Sequence, residues 1–526
     1  MEFDVIIRGG SVVDGSRDAQ AMPADVGIRG DRIEVVGDLG PATAATEIDA
    51  TGRIVSPGFI DAHTHTEIAL PQDGAKGRFA NLLQGVTTIL TAPDGFGWAP
   101  LPADKAREHW RSTIFATGPA DPSWDFDWST PKKYLAIFHG RIPENVVPMA
   151  PHNGIRFAAM GWDPRIATDA ELDAMRGMTR AWMEAGAVGL NAGLDYQPGA
   201  NSDSRELIEL SKVVGEYGGM YAAHMRYSGV GIRDAFRETM RISVEAKIPV
   251  SVAHYQYETG SRDWIDEAEA AGQADFSFES YMYPAGSTHF LMSLPLSEQV
   301  GGPDALQERM RDKAYRDRII DGLNLVVDDN STSKARAYFS ETRTGRFIGQ
   351  TIPEAAASLG VSVPEFVRIL VEEELPDALL VYHRGFTDEE FEPIVRATIR
   401  HPRVMVASDG IAHGHLPHPR GAGTFARVLR YQVREIGAVS LEQAIHKMSG
   451  FVAERYQIRD RGLLKPGYGA DVVVFDPQTV ADRSTWTEPR LEPVGIDAVI
   501  VNGHVVADHG RWTGDLPGRV LRPLQS

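Results

Sequence analysis

The chain contains no cysteine, which excludes disulfides and thiolate ligands and leaves histidine, aspartate and glutamate as the groups a metal would use. It contains no run of 18 apolar residues and no basic N-terminal region followed by a long apolar stretch, so nothing in it reads as a membrane span or a secretory leader, and a cytoplasmic location is expected. Positive charge is scarce: 53 basic residues face 72 acidic ones, a formal charge of -19. That balance argues against nucleic acid and anionic membrane as partners. Glycine-rich phosphate loops are missing too. No G-x-G-x-x-G opens a helix after the first strand and no G-x-x-x-x-G-K-[ST] occurs, so dinucleotide and P-loop readings lose support.

What is present is ordinary globular composition, 43% hydrophobic and 24% charged over 526 residues. This length suits roughly two to four domains, or one large barrel with an appendage. Residues 2–56 hold short β-like runs, Asp4–Ile7, Asp25–Ile28 and Arg32–Val36, punctuated by R-G-G and R-G-D. The same pattern returns in A-D-V-V-V-F-D-P (470–477) and Ile496–Val506. The two ends are expected to share a small β-sandwich, with boundaries at 1–57 and 465–526. Between 58 and 464, apolar strands alternate with amphipathic helices: Thr87–Leu90, Asp169–Ala185, Val188–Leu190, Arg205–Tyr217, Met220–Ala223, Ile232–Ala246, Pro249–Ala253 and onward to Arg403–Ala407 and Leu441–Ser449. Strand then helix, repeated, predicts a parallel sheet, and with this many units a closed (β/α)8 TIM-like barrel, an open doubly wound sheet being the alternative. Residues 289–350 break the alternation and are expected to form an insertion at the barrel mouth, in the position of a lid.

The stretch I-V-S-P-G-F-I-D-A-H-T-H-T (54–66) reads as a strand, interrupted by a Pro-Gly turn, that ends in His63 and His65. Histidines one residue apart on a strand share a face. Other groups of metal-binding type fall at the carboxyl ends of predicted strands, where a barrel places its active site: Asp94, His224, His254 and Asp409. Taken singly, each is explained by packing or by turn chemistry. All six recurring at one structural point is better explained by a metal site.

The motifs P-G-F-I-D-A-H-T-H, Q-G-V-T-T (84–88), A-H-M-R (223–226), S-V-A-H (251–254) and A-S-D-G (407–410), in that order, resemble the amidohydrolase superfamily. A-G-A-V-G-L-N-A-G-L-D-Y-Q-P-G (185–199) and Y-M-Y-P-A-G-S-T (281–288) narrow the resemblance to the N-acyl-D-amino-acid deacylases, or D-aminoacylases. The resemblance implies a metal-dependent hydrolase of a non-peptide C–N bond holding one or two Zn2+ ions, acting on a small-molecule amide. A homo-oligomer is compatible with it. His63 and His65 match the family's first-strand pair, His224 and His254 its later histidines, and Asp409 its catalytic aspartate. Asp94 stands where D-aminoacylases place a cysteine ligand, and it inherits any bridging role, since the candidate fourth-strand region has no lysine. Gln256 stands where deacylases commonly carry a lysine for the substrate carboxylate, which favours a cyclic amide, a carbamate or another amide without a carboxylate. Arg226 is the candidate to replace that charge. Tyr283 is the candidate to polarise the scissile carbonyl, with Tyr281 and Ser287 as further substrate contacts in the same motif. A catalytically silent, ligand-binding barrel is the alternative outside enzymes.

Overall fold

A computed structural model describes residues 2–227, 231–257, 261–321 and 336–525. Eight parallel strands alternate with helices in the middle of the chain. In order they are Phe59–Asp61, Val86–Leu90, a third in two pieces (Asn145–Val147 and Ala150–Pro151), Gly189–Gly193, Met220–His224, Val250–Val252, Phe276–Ser280 and Val404–Val406. Each pairs in parallel with the next. The third is split at Pro148 because its first piece pairs with the second strand and its second piece with the fourth. The ring closes just beyond the strand ends. There Thr64 and Gly410 form a parallel bridge, the Asp409 amide donates to His63 O (2.7 Å) and the His65 amide donates to Gly410 O (2.8 Å). The fold is a TIM-like (β/α)8 barrel with a terminal β-sandwich.

The helices form for legible reasons. Asp169–Ala185 starts in a capping box, where Thr168 and Glu171 satisfy each other's backbone amides, and it ends on Gly186 in the left-handed conformation. Its buried face is Leu172, Met175, Thr179, Trp182 and Met183, at helical spacing. The strands of the wall are buried along their length, as parallel strands covered on both sides must be.

The predicted first strand is two. Ile54–Pro57 belongs to the nine-stranded terminal sheet, antiparallel to Val472–Phe475, and only after Gly58 does the chain enter the barrel. A Cβ at Gly58 would lie 2.1 Å from the Thr87 hydroxyl, so the crossing needs glycine. An antiparallel bridge between Arg32 and Gly469 folds this sheet onto itself around Val5, Ile7, Val26, Val55, Val472 and Ile500.

An antiparallel sheet of Ala285–His289, Arg336–Glu341 and Leu379–His383 occupies the region expected as an insertion, with strands on both sides of the 289–350 bounds. It has its own core around Phe290, Phe339, Phe366 and Leu370. The 322–335 part of the expected insertion lies outside the described residues. Among the described residues, no helix is long and apolar enough to cross a membrane.

At the opposite end of the barrel, Glu144 is buried just before the third strand with neither carboxylate oxygen hydrogen-bonded, and burial pushes its carboxyl up to about 8. A raised folded-state value means the native chain is favoured while the group is neutral. Its contribution is complete below about 4.5, the ordinary value, and declines to a plateau above about 8. Glu144→Gln is therefore expected to flatten the fall in melting temperature between these limits. An unchanged slope in thermal melts across that range refutes the assignment.

Candidate metal centre

His63 and His65 follow the first strand, Asp94 the second, His224 ends the fifth, His254 follows the sixth and Asp409 the eighth. All six are buried or nearly so and gather at the carboxyl ends. Two sets have ligand atoms within 4.8 Å of one another: His63, His65 and Asp409, and Asp94, His224 and His254. Asp94 joins them. Its carboxylate lies 3.4 Å from His63 Nε2, 3.7 Å from His65 Nε2, 3.6 Å from His224 Nδ1 and 4.0 Å from His254 Nε2. Asp409 Oδ1 is 3.5 Å from His63 Nε2 and 3.3 Å from His65 Nε2.

These separations test whether an ion fits. Ligand atoms about 2.1 Å from a tetrahedral zinc stand about 3.4 Å from each other. The histidine-to-carboxylate separations among His63, His65, Asp94 and Asp409, from 3.3 to 3.7 Å, are of that size. His63 Nε2 and Asp94 Oδ1 are moreover buried without a hydrogen-bond partner, as atoms reserved for a cation are. The electrostatics agree. Burial opposes a charge on His63, yet Asp94 and Asp409 outweigh it and push the imidazole up to about 10, so the carboxylates hold a proton where a metal would sit. His224 Nδ1 and His254 Nε2 face each other at 2.8 Å, and burial together with the neighbouring His224 holds His254 down at about 3. That leaves the His254 ring neutral, the ligand form.

Four residues that the motifs did not single out orient the site. Glu279, in the seventh strand, sits 2.9 Å from His63 Nδ1 and accepts a 3.0 Å bond from the Ser251 hydroxyl. This directs the lone pair of His63 to Nε2. Asp195 Oδ2 is 3.3 Å from His224 Nε2. The Arg420 guanidinium lies 2.9 Å from Asp409 Oδ2. Arg384 donates to Gln256 Oε1 at 2.7 Å. Glu279 had a signal, a lone carboxylate inside the apolar F-S-F-E-S strand; the arginines had none. Glycine at 193 lets the Asp94 loop approach, since a Cβ there would lie 2.0 Å from Asp94 O.

A cavity of about 440 Å3 opens over these ligands. One part of its wall is polar, with Gln256, Tyr281, Ser287, Tyr382 and Arg384; another is apolar, with Phe96, Phe115, Tyr196, Met292 and Ile411. Two expectations are corrected. Arg226 is absent from the wall: it pairs with Glu238 at 3.0 Å and donates to Ala200 O and Ser202 O, a structural use of its charge. Tyr283 does not face the cavity either. Its ring packs under the Arg427 guanidinium and beside His418 and Trp486. Both tyrosines lie beyond the seventh strand, which ends at Ser280, with Met282 at a φ of 52° between them, so strand alternation does not place them on one face.

Fold and site together define a barrel whose candidate metal-binding groups lie at the ends of the first, second, fifth, sixth and eighth strands. The chain belongs to the amidohydrolase family, whose model matches residues 46–507. It is 34% identical to the D-aminoacylase of Alcaligenes xylosoxydans xylosoxydans over 99% of this chain and 97% of that one. Among solved structures, the N-acyl-D-glutamate deacylase from Bordetella bronchiseptica, complexed with zinc and a phosphonate mimic of the tetrahedral intermediate, superposes with a TM-score of 0.80 at 32% identity, covering 99% of this chain and 100% of that one. A D-aminoacylase described as having a binuclear centre with one-metal activation and second-metal attenuation gives 0.78 at 32% identity, over 99% of each chain.

Proposed function

We propose that the chain is a zinc-dependent deacylase of N-acyl-D-amino acids, in which His63, His65, Asp94, His224, His254 and Asp409 hold one or two ions. The observation that carries this is the buried gathering of His63, His65, Asp94 and Asp409, with histidine-to-carboxylate separations of 3.3 to 3.7 Å, beside a cavity lined by Arg384 and Arg420. The barrel body, 58–464, is the catalytic domain, and 1–57 with 465–526 the discontinuous second one. When bound, zinc supplies Lewis acidity and eases the ionisation of water. The chain's residues do the rest. Asp409 takes the proton of the attacking water at Oδ1 and passes it to the leaving nitrogen. Glu279 and Asp195 keep His63 and His224 oriented. Tyr281, Ser287 and Gln256 line the amine side.

Gln256 alone favoured a substrate without a carboxylate. Arg384, bonded to the Gln256 amide oxygen and lining the same wall, restores the missing positive charge and supports an N-acyl amino acid over a cyclic amide. The test is turnover of N-acetyl-D- and N-acetyl-L-amino acids by zinc-loaded protein. The D series is expected to be hydrolysed, and Arg384→Ala to raise KM about 10–100-fold, the worth of one charged hydrogen bond. Zinc-loaded protein that turns over no N-acyl amino acid overturns the proposal.

A further inference from the structure

The second strand ends at Leu90, and the turn that carries Asp94 follows as T-A-P-D-G (91–95). Ala92 (φ 59°) and Asp94 (φ 53°) both lie in the left-handed region. Aspartate can enter that region with the help of its short polar side chain, whereas alanine meets the full clash of its Cβ with the backbone. Pro93 between them has no amide to contribute. A group outside the turn holds Ala92 in place. It is Glu67, two residues beyond His65 and 2% exposed. Its Oε2 accepts the Ala92 amide at 2.6 Å, and its Oε1 accepts the Tyr134 hydroxyl at 2.6 Å. Tyr134 is itself fixed, its buried ring packed among Trp98, Trp128, Phe138 and Trp182. Asp94 Oδ1, by contrast, is buried with no hydrogen-bond partner, so the backbone that carries it sets its aim.

We infer that Glu67 is a positioning residue for the metal centre: it pins the left-handed Ala92 and so aims the Asp94 carboxylate between the histidines. Because Glu67 belongs to the same loop as His63 and His65, its bond to Ala92 also fixes the second-strand loop against the first. Released, Ala92 relaxes toward the right-handed or extended regions, and a change of backbone two positions before Asp94 turns that side chain away. A carboxylate suits the task, since its two oxygens serve two donors at once. Glutamine can do the same. Its oxygen accepts the Ala92 amide and its NH2 donates to the Tyr134 hydroxyl, which both gives and takes hydrogen bonds. Methionine fills similar space and leaves the amide unbonded.

The inference rests on the metal-site part of the proposed function and not on the substrate. Zinc affinity is measured by chelator competition on metal-free parent, Glu67→Met and Glu67→Gln, and on Asp94→Asn with and without Glu67→Met. Glu67→Met is expected to bind zinc about 10–100-fold more weakly, the range for a residue that supports a ligand from behind, and Glu67→Gln to bind close to the parent. In the Asp94→Asn background, Glu67→Met is expected to change the affinity less than about twofold, because the ligand through which it acts is already lost. A general loosening of the fold gives losses that add instead. Losses that add in the double variant overturn the inference, and so does a Glu67→Gln as weak as Glu67→Met. If Glu67→Met does not fold, Glu67→Asp, one methylene short of the Ala92 amide, takes its place in the same cycle. Parental affinity in Glu67→Met overturns the inference and leaves the metal reading standing, whereas a parent that binds no zinc overturns both.

Discussion

Asp409→Asn is expected to bind zinc and to lose about 10²–10⁴-fold in kcat, the usual range for removing a general base. The substitution changes almost no volume, and the S-D-G turn accepts it, since asparagine tolerates the φ of 47° found at this position. What fails is the chemistry. The Arg420 guanidinium offers only donors, so an amide there must turn its oxygen to Arg420 and its NH2 toward His63 and His65. No acceptor then remains for the proton of water. The chain keeps His63, His65 and Asp94 for the ion. Its melting temperature falls, because Arg420 stays buried opposite a neutral group, a cost of up to about 3 kcal/mol. Elemental analysis, melting curves and steady-state kinetics on one preparation check all three statements. A near-parental kcat removes Asp409 from the role of base.

Asp94→Asn is expected to have the larger effect on the metal. Among the described residues, Asp94 is the one carboxylate within 4.0 Å of all four histidines. Burial pushes its carboxyl up, but His63, His224 and His65 outweigh that and hold it below the ordinary carboxylate range, so it supplies charge to both halves of the site. Its φ of 53° belongs to the left-handed region, which asparagine accepts and alanine does not. The turn survives and the charge does not. Zinc affinity is expected to drop by more than about 100-fold, beyond the 10–100-fold typical of residues that support a ligand from behind. The metal-free protein is expected to melt as the parent does. Asp94→Cys restores a zinc ligand at the same point and recovers part of the binding. If Asp94→Asn binds zinc and turns over like the parent, the site reduces to one ion on the histidines and Asp409.

The sequence by itself determined the architecture and pointed to the candidate ligands. Helices such as Asp169–Ala185 and Ile232–Ala246 have the predicted ends because caps and apolar periodicity are local properties. The six candidate ligands were legible because each ends a strand or follows one within four residues, and a parallel barrel brings all its strand ends to one rim. Tertiary structure decided which other side chains reach that rim. Of Tyr281 and Tyr283, which follow the end of the seventh strand, only Tyr281 lines the cavity. Arg226 was drawn off by Glu238, 12 residues along the chain, while Arg384 and Arg420 arrived from positions 128 and 11 residues away from Gln256 and Asp409. Long arginine side chains have no period and no obligatory partner. Where their charge is used depends on which carboxylate, carbonyl or amide the folded chain sets within reach, and no local pattern in the sequence records that distance.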